Sequence, residues 1–445
     1  MNAEASVVAA SERKIGFWTC TALVVGNTIG MGIFLLPASL APYGYNALIG
    51  WFVTVLGCLV LARVFARLAR ELPNADGPYG YIRHTLGDTT AFVAVWSYWV
   101  STWISNAAIA TGVVGYIDAV FPQLGIVQPS LFALGLLWSF VLINLLGVRA
   151  GGHVQIVTTV LKLLPMLAIG LLGAWLLMTS PASYTAHLPT KPVNLGDVMA
   201  ASTIALFAML GFESASVPAG KVENPGRNIP RATLIGTLVI AAIYVVVSTI
   251  PLFLIPQQEL ANASAPFALL MDRFVATGVG CWLALFVVIS GLGALNGWTL
   301  LVGELTRTMA DNGRLPAVFS RNNSRGAPAL ALVVTGLLAS GMVLMSYSKS
   351  LVDSFTFLTK VVTAANLPLY LCCALALAVL WRRAKRTLVG DVLGISLIGT
   401  VYVVFCFVGL GREPFELALV LGAAGLPLYV VMRWRQSRAA VGARG

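Results

Sequence analysis

Of 445 residues, 58% are hydrophobic and only 10% charged, and the mean hydropathy is +0.87. A water-soluble domain carries about 25% charged residues, so this chain lacks the polar side chains to cover a soluble surface and takes lipid as its solvent. The formal charge of +11 would suit a nucleic-acid partner if it formed a patch, but the 28 Lys and Arg residues are scattered over short segments between apolar runs, which excludes that partner.

Residues 1–14 are polar, with no apolar stretch leading to a small-residue cleavage site, and read as a cytoplasmic lead-in rather than a signal peptide. Twelve apolar runs follow, each long enough to cross ~30 Å of hydrocarbon. They lie at approximately 15–40, 47–70, 90–120, 129–148, 153–178, 197–219, 231–255, 278–306, 327–347, 353–381, 389–410 and 414–432. Helix is the open choice for such runs, because backbone groups cannot stay unpaired in lipid. The expected architecture is an all-α membrane protein with five helices over 15–178, five over 197–381 and two over 389–432. A basic tail, 433–445, reads as disordered.

With the N-terminus inside, the even-numbered connections, the helix ends that flank them and both termini hold 22 of the 28 basic residues, Arg13, Arg70, Arg83, Arg227, Arg382, Arg383 and Arg433 among them. The opposite connections hold four (Lys191, Arg273, Lys349 and Arg412), and Lys162 and Lys360 lie within helices. This bias puts both termini in the cytoplasm. The connections at 72–81 and 223–230 are dense in proline and glycine and predict ordered turns.

Chemistry-bearing features appear in chain order. The first run contains Gly26-Asn27-Thr28-Ile29-Gly30-Met31-Gly32, and each glycine weakens a helix by roughly 1 kcal/mol relative to alanine. An unwound stretch here would expose backbone groups at mid-membrane, tolerated only beside a cavity or ligand, and the helix resuming after it would aim its positive end at a carboxylate. Close helix packing explains the glycines alone equally well. The fifth run carries Lys162, which either meets the proton chemistry of transport or snorkels to the cytoplasmic face. The sixth contains Phe207, Leu210 and Gly211, followed by Glu213, an acid deep in an apolar run and therefore a functional candidate. Glycine-interrupted helices in positions one and six are the signature of inverted-repeat transporters. Lys360 of the tenth run either snorkels outward or touches substrate. Glu304 and Arg307, three residues apart, read as an intrahelical pair. Six cysteines within apolar runs and three isolated histidines offer no metal spacing and imply no cofactor.

Five landmarks in order resemble the amino acid–polyamine–organocation superfamily over nearly the whole chain: Gly26-Asn27-Thr28-Ile29-Gly30-Met31-Gly32, Gly77-Pro78-Tyr79-Gly80-Tyr81, Gly211-Phe212-Glu213-Ser214-Ala215, Glu223-Asn224-Pro225 with Asn228-Ile229-Pro230, and Gly297-Trp298-Thr299-Leu300-Leu301. Within it, the chain looks most like the basic amino acid/polyamine antiporters of the arginine–agmatine exchanger type. The resemblance implies a leucine-transporter-type fold, two inverted five-helix repeats plus two helices, working by alternating access. It also implies a homodimer, in a bacterial-type inner membrane.

Carried over by motif position, the backbone at Gly30, Met31 and Gly32 would take the substrate α-carboxylate, and Leu210 and Gly211 the α-amino group. Asn106 would hydrogen-bond the substrate, and Trp298 would stack on its side chain. Tyr98 and Glu213 would belong to the gating and proton-sensing layer. Phe207 stands where the exchangers have tryptophan, and Met31 where they have a small polar residue. Lys162 departs from them too, and is similar to a lysine of proton-coupled permeases whose amine occupies the space of a sodium ion.

The expected function is therefore secondary transport, as an exchanger of cationic amino acids and their amines. The alternative is a proton-coupled symporter of neutral or broad-range amino acids that uses Lys162. An intramembrane enzyme needs a nucleophile–base pair or metal ligands at membrane depth, and a channel needs repeated polar rings; the sequence offers neither.

Overall fold

The computed structural model describes all residues except 1–15, 74, 76, 125–127, 147–150, 213–221, 347, 384–389 and 443–445. Among the described residues there is no strand, and eight segments are long and apolar enough to cross a membrane, with shorter apolar helices beside them. The first predicted run is two helices, α1 (Phe17–Thr28) and α2 (Gly32–Leu40). Then come α3 (Tyr45–Glu71), α4 (Gly77–Leu86), α5 (Asp88–Val120), α6 (Pro129–Leu145) and α7 (Gly151–Thr179). The second half begins with α8 (Leu195–Met209) and α9 (Pro225–Leu254), followed by the short α10 (Gln257–Ala261) and α11 (Pro266–Phe274). It continues through α12 (Val279–Asp311), α13 (Ala329–Met345), α14 (Leu351–Arg383) and α15 (Gly390–Gly409), and ends in α16 (Arg412–Ala423) and α17 (Gly425–Gly442).

Three local expectations need correction. Gly77-Pro78-Tyr79-Gly80-Tyr81 is the first turn of α4, and Pro225 through Pro230 is the start of α9. Proline is preorganised for a first helical turn, where its missing N–H would be unpaired anyway. Asn224, at φ 46° and ψ 61°, turns the chain into Pro225. The basic tail beyond Met432 continues α17 to Gly442, with Arg438 stacked 3.6 Å over the Trp434 ring.

The centre of the bundle is α5, which packs along α12 and α14. Runs of small side chains let these backbones approach, as in Ala107, Ala108, Ala110, Gly112 and Gly115. A Cβ on Gly115 would meet the Ser264 carbonyl oxygen at 2.6 Å, so alanine there would push α5 away from the segment before α11. Lipid-facing surface is apolar: Leu167, Leu171 and Trp175 of α7 and Leu419 and Val420 of α16 are all more than half exposed.

Asp88, at the start of α5, gathers partners from several elements. Arg314, just beyond α12, grips it with both terminal nitrogens at 2.8 Å. Tyr79 of α4 donates at 3.0 Å, Tyr429 of α17 at 3.3 Å, and Arg83 lies at 3.4 Å. Burial pushes the Tyr79 hydroxyl up to about 12, so it stays a protonated donor. The Gly77–Tyr81 motif thus anchors α4 to the ends of α5, α12 and α17. On α12 itself, Arg307 meets Glu304 at 3.4 Å, as its spacing predicts.

Candidate functional site

The first break is three residues long. α1 ends at Thr28, Ile29 turns extended at φ −73° and ψ 94°, and α2 restarts at Gly32. The second lies where α8 stops at Met209: Leu210 is extended at φ −62° and ψ 140°, and Gly211 has φ 106°. That left-handed value favours glycine, which carries no Cβ to clash.

The two breaks and α5 and α12 enclose a cavity of about 30 Å³. Thr28, Gly30, Met31 and Gly32 form one wall, and Phe207, Ala208 and Leu210 another. Ser105 and Ile109 of α5 and Trp298 of α12 close it. One water needs about 10–15 Å³ by the same measure, so the walls must separate to admit anything of amino-acid size.

The broken backbone gives the cavity its chemistry. The amides of Met31, Gly32 and Ile33 have no hydrogen-bond acceptor among the described residues, while that of Gly30 points to the Tyr244 hydroxyl of α9. They sit at the positive end of α2, an arrangement suited to an anion such as a carboxylate. The orphan carbonyls of α1 are partly answered from other helices. Tyr244 of α9 donates to the Thr28 carbonyl at 3.1 Å. The Lys162 amine lies 3.5 Å from the Gly26 carbonyl, at the long limit of a hydrogen bond. Lys162 is only 2% exposed, so it does not snorkel. A cation beside the last carbonyls of a helix is favoured by the helix dipole.

The glycines divide between the two explanations of their presence. A Cβ on Gly30 would meet nothing within 4 Å, so this residue opens onto the cavity. A Cβ on Gly32 would reach the Phe207 ring at 3.0 Å and the Ala208 backbone at 3.4 Å, so Gly32 also serves close packing of α2 on α8. Phe207 is held edge-on against Phe355 of α14 at 5.9 Å between ring centres. Met31 is fully buried, with its side chain lodged between two helices. A Cβ on Gly112 would meet its Cγ at 2.7 Å, and one on Gly291 its Sδ at 3.0 Å.

Of the residues singled out from sequence, Gly30, Met31, Gly32, Phe207, Leu210 and Trp298 line the cavity, and Gly211 follows Leu210 in the same break. Asn106 is buried at 3% exposure with no partner for its Oδ1, beside rather than on the wall that Ser105 and Ile109 make. Tyr98 is half-buried seven residues before Ser105, on the same face of α5 by helical spacing, and its backbone carbonyl accepts from Ser101 at 2.6 Å. Glu213 lies outside the described residues. Sequence reasoning passed over Thr28, Ser105, Ile109 and Ala208. For α5 the signal was there: 98, 105, 109 and 112 share one face, from which Asn106 is turned by about 100°.

A profile of the amino acid permease family matches residues 15–426. The chain is 30% identical over 425 residues to a putrescine transporter of Escherichia coli, covering 94% of this chain and 96% of the relative. It is 32% identical over 396 residues to a putative arginine/ornithine antiporter of Bacillus subtilis, covering 82% and 83%. It is 30% identical over 423 residues to a cadaverine/lysine antiporter of Escherichia coli, covering 92% of each chain. Among solved structures, a sodium-coupled sialic acid symporter aligns with a TM-score of 0.54 over 92% of this chain and 91% of its own, at 13% identity, which is a likeness of fold. With its apolar helices, paired breaks and these relatives, the chain is a multi-pass membrane transporter and belongs to the amino acid permease family.

Proposed function

We propose that this transporter exchanges cationic amino acids and their decarboxylated amines, of the arginine, lysine, ornithine and agmatine type, by alternating access around the cavity between its two broken helices. The observation that carries this reading is the unpaired amide row from Met31 to Ile33 facing the aromatic walls Phe207 and Trp298. A carboxylate takes the amides, and an ammonium or guanidinium takes an aromatic face, worth about 0.5–2 kcal/mol. The relatives named for putrescine, cadaverine, lysine, arginine and ornithine support the same substrate class. Gly30, Met31 and Gly32 then bind carboxylate, Leu210 and Gly211 the α-amino group, and Asn106 turns its unpaired oxygen to the substrate. Tyr98 and Glu213 gate the site.

In this reading the chain has twelve spans, with two inverted five-helix repeats over 15–178 and 197–381, and both termini in the cytoplasm of a bacterial inner membrane. Lys162 holds the first break in place and offers a proton to the cycle, and lipid covers the outer faces. The reading is tested in proteoliposomes loaded with unlabelled arginine, lysine or agmatine, with labelled substrate outside. Uptake that requires internal counter-substrate is expected. Equal uptake into empty vesicles under an inward proton gradient would show symport instead.

A further inference from the structure

A second lysine lies within a membrane-spanning helix, α14, and the exchange mechanism gives it no task. Lys360 is half-buried on α14. Its place is fixed by its neighbours on the same helix. Thr356, one turn before it, donates to Ser39 of α2 at 2.7 Å. Thr363, one turn after it, donates to the Thr203 carbonyl of α8 at 3.4 Å. Phe355 packs on Phe207 in the cavity wall. Helical spacing puts 356, 360 and 363 within about 60° of one another, so Lys360 stands at the seam where α2, α8 and α14 meet. A helical side chain leans toward its own N-terminus, which for Lys360 is toward Thr356 and the end of the bundle where α2 finishes.

Among the described residues Lys360 has no hydrogen bond, ion pair or ring contact. Most charged groups around this end of the bundle are already engaged, the exception being Asp118 in the last turn of α5. Asp353, two turns away, accepts from Ser350 at 2.7 Å. Asp197 is paired with Lys191 at 2.8 Å, and Lys349 reaches Glu413 at 3.5 Å. The described cavity-lining residues include no acid. A lysine cation held at such a seam with no ion pair sets a positive potential where α2 and α8, which both line the cavity, meet α14.

We propose that Lys360 is a charge filter at the mouth formed by α2, α8 and α14, favouring substrates that carry a carboxylate over amines that do not. An amino acid can lead with its carboxylate past this amine and deliver it to the amides of Met31 to Ile33. A diamine presents a cation at both ends and is repelled whichever end leads. Lys360 therefore ranks the two halves of the exchange pair, with the amino acid preferred from the α2 side. This inference rests on the exchange reading above and narrows its substrate class.

The test compares wild type with Lys360→Arg, Lys360→Met and Lys360→Glu in proteoliposomes, using competition of unlabelled amino acid and its decarboxylated amine (arginine with agmatine, ornithine with putrescine) against labelled amino acid. One unit charge about 10 Å from another at an effective dielectric near 20 shifts a binding ratio on the order of tenfold. Lys360→Met is expected to shift the amine-to-amino-acid ratio toward the amine by about that factor, and Lys360→Glu further in the same direction. Lys360→Arg should hold the wild-type ratio. Added salt should shrink the difference between wild type and Lys360→Met. If Lys360→Met or Lys360→Glu fails to elute as a monodisperse protein, Lys360→Gln and the salt dependence of the wild-type ratio carry the comparison. A wild type that exchanges both substrates with a ratio unmoved by these variants and by salt overturns the filter and leaves the exchange reading standing. A wild type that carries neither substrate overturns both.

Discussion

Lys162 of α7 places its amine 3.5 Å from the carbonyl oxygen of Gly26, in the last turn of α1. With Tyr244 on the Thr28 carbonyl at 3.1 Å, side chains from α7 and α9 answer backbone groups that a broken helix leaves unpaired. A buried acceptor stripped of its donor costs about 1–3 kcal/mol. Lys162→Met is therefore expected to lower exchange by tenfold or more, with the protein still extracted as a folded species. Tyr244→Phe should give a smaller loss. Full exchange by Lys162→Met in the liposome assay would remove Lys162 from the mechanism.

Met31 and Gly291 supply a packing test. Alanine at Gly291 puts a methyl group against the Met31 sulfur, and overfilling of this kind costs typically about 1–3 kcal/mol. Gly291→Ala should lower the melting temperature and slow exchange, and Gly112→Ala should do the same. The double variant Met31→Ala, Gly291→Ala should recover part of the loss. Additive losses in the double variant would show that the two sites do not share this contact.

Much of this was legible in the sequence, and the misses have physical causes. Run lengths placed the helices because lipid allows a long apolar run few other forms. The break at 29–31 was legible because three glycines crowd one helix. Motif position named Asn106 as a substrate partner, whereas its neighbours Ser105 and Ile109, which line the wall, carry no motif and were passed over. The slot that Gly112 and Gly291 offer Met31 was not legible, since it pairs residues from three distant helices. Pro225 and Pro78 misled because proline breaks the interior of a helix but suits its first turn.

Trp298 is the aromatic wall contributed by α12. Loss of a cation–π face worth about 0.5–2 kcal/mol corresponds to a roughly 2- to 30-fold weaker affinity. Trp298→Ala should raise the KM for arginine or agmatine within that range, and Trp298→Phe should raise it less. A KM unchanged by Trp298→Ala would rule out stacking on the substrate cation.

Arg314 and Arg83 share the same carboxylate, Asp88, in unequal settings. Arg314 is 14% exposed and grips it with two nitrogens at 2.8 Å, whereas Arg83 is 61% exposed and lies at 3.4 Å. Exposed pairs contribute about 0–1 kcal/mol, and a bidentate, sheltered pair contributes more. Arg314→Ala should lower the melting temperature by several degrees more than Arg83→Ala. Equal shifts would mean that Asp88 is held by Tyr79 and Tyr429 instead.

The fit of Met31 between Gly112 and Gly291 bears on how the molecule moves from one state to another. A methionine seated between two helix backbones cannot slide by a fraction of its width; it is either home or withdrawn. Close-packed interfaces of this kind are bistable rather than continuously deformable. The first broken helix is therefore indexed against α5 and α12 as a latch indexes a door. Halfway positions should be sparsely occupied, and the time spent in each end state should depend on how tightly that one thioether is gripped.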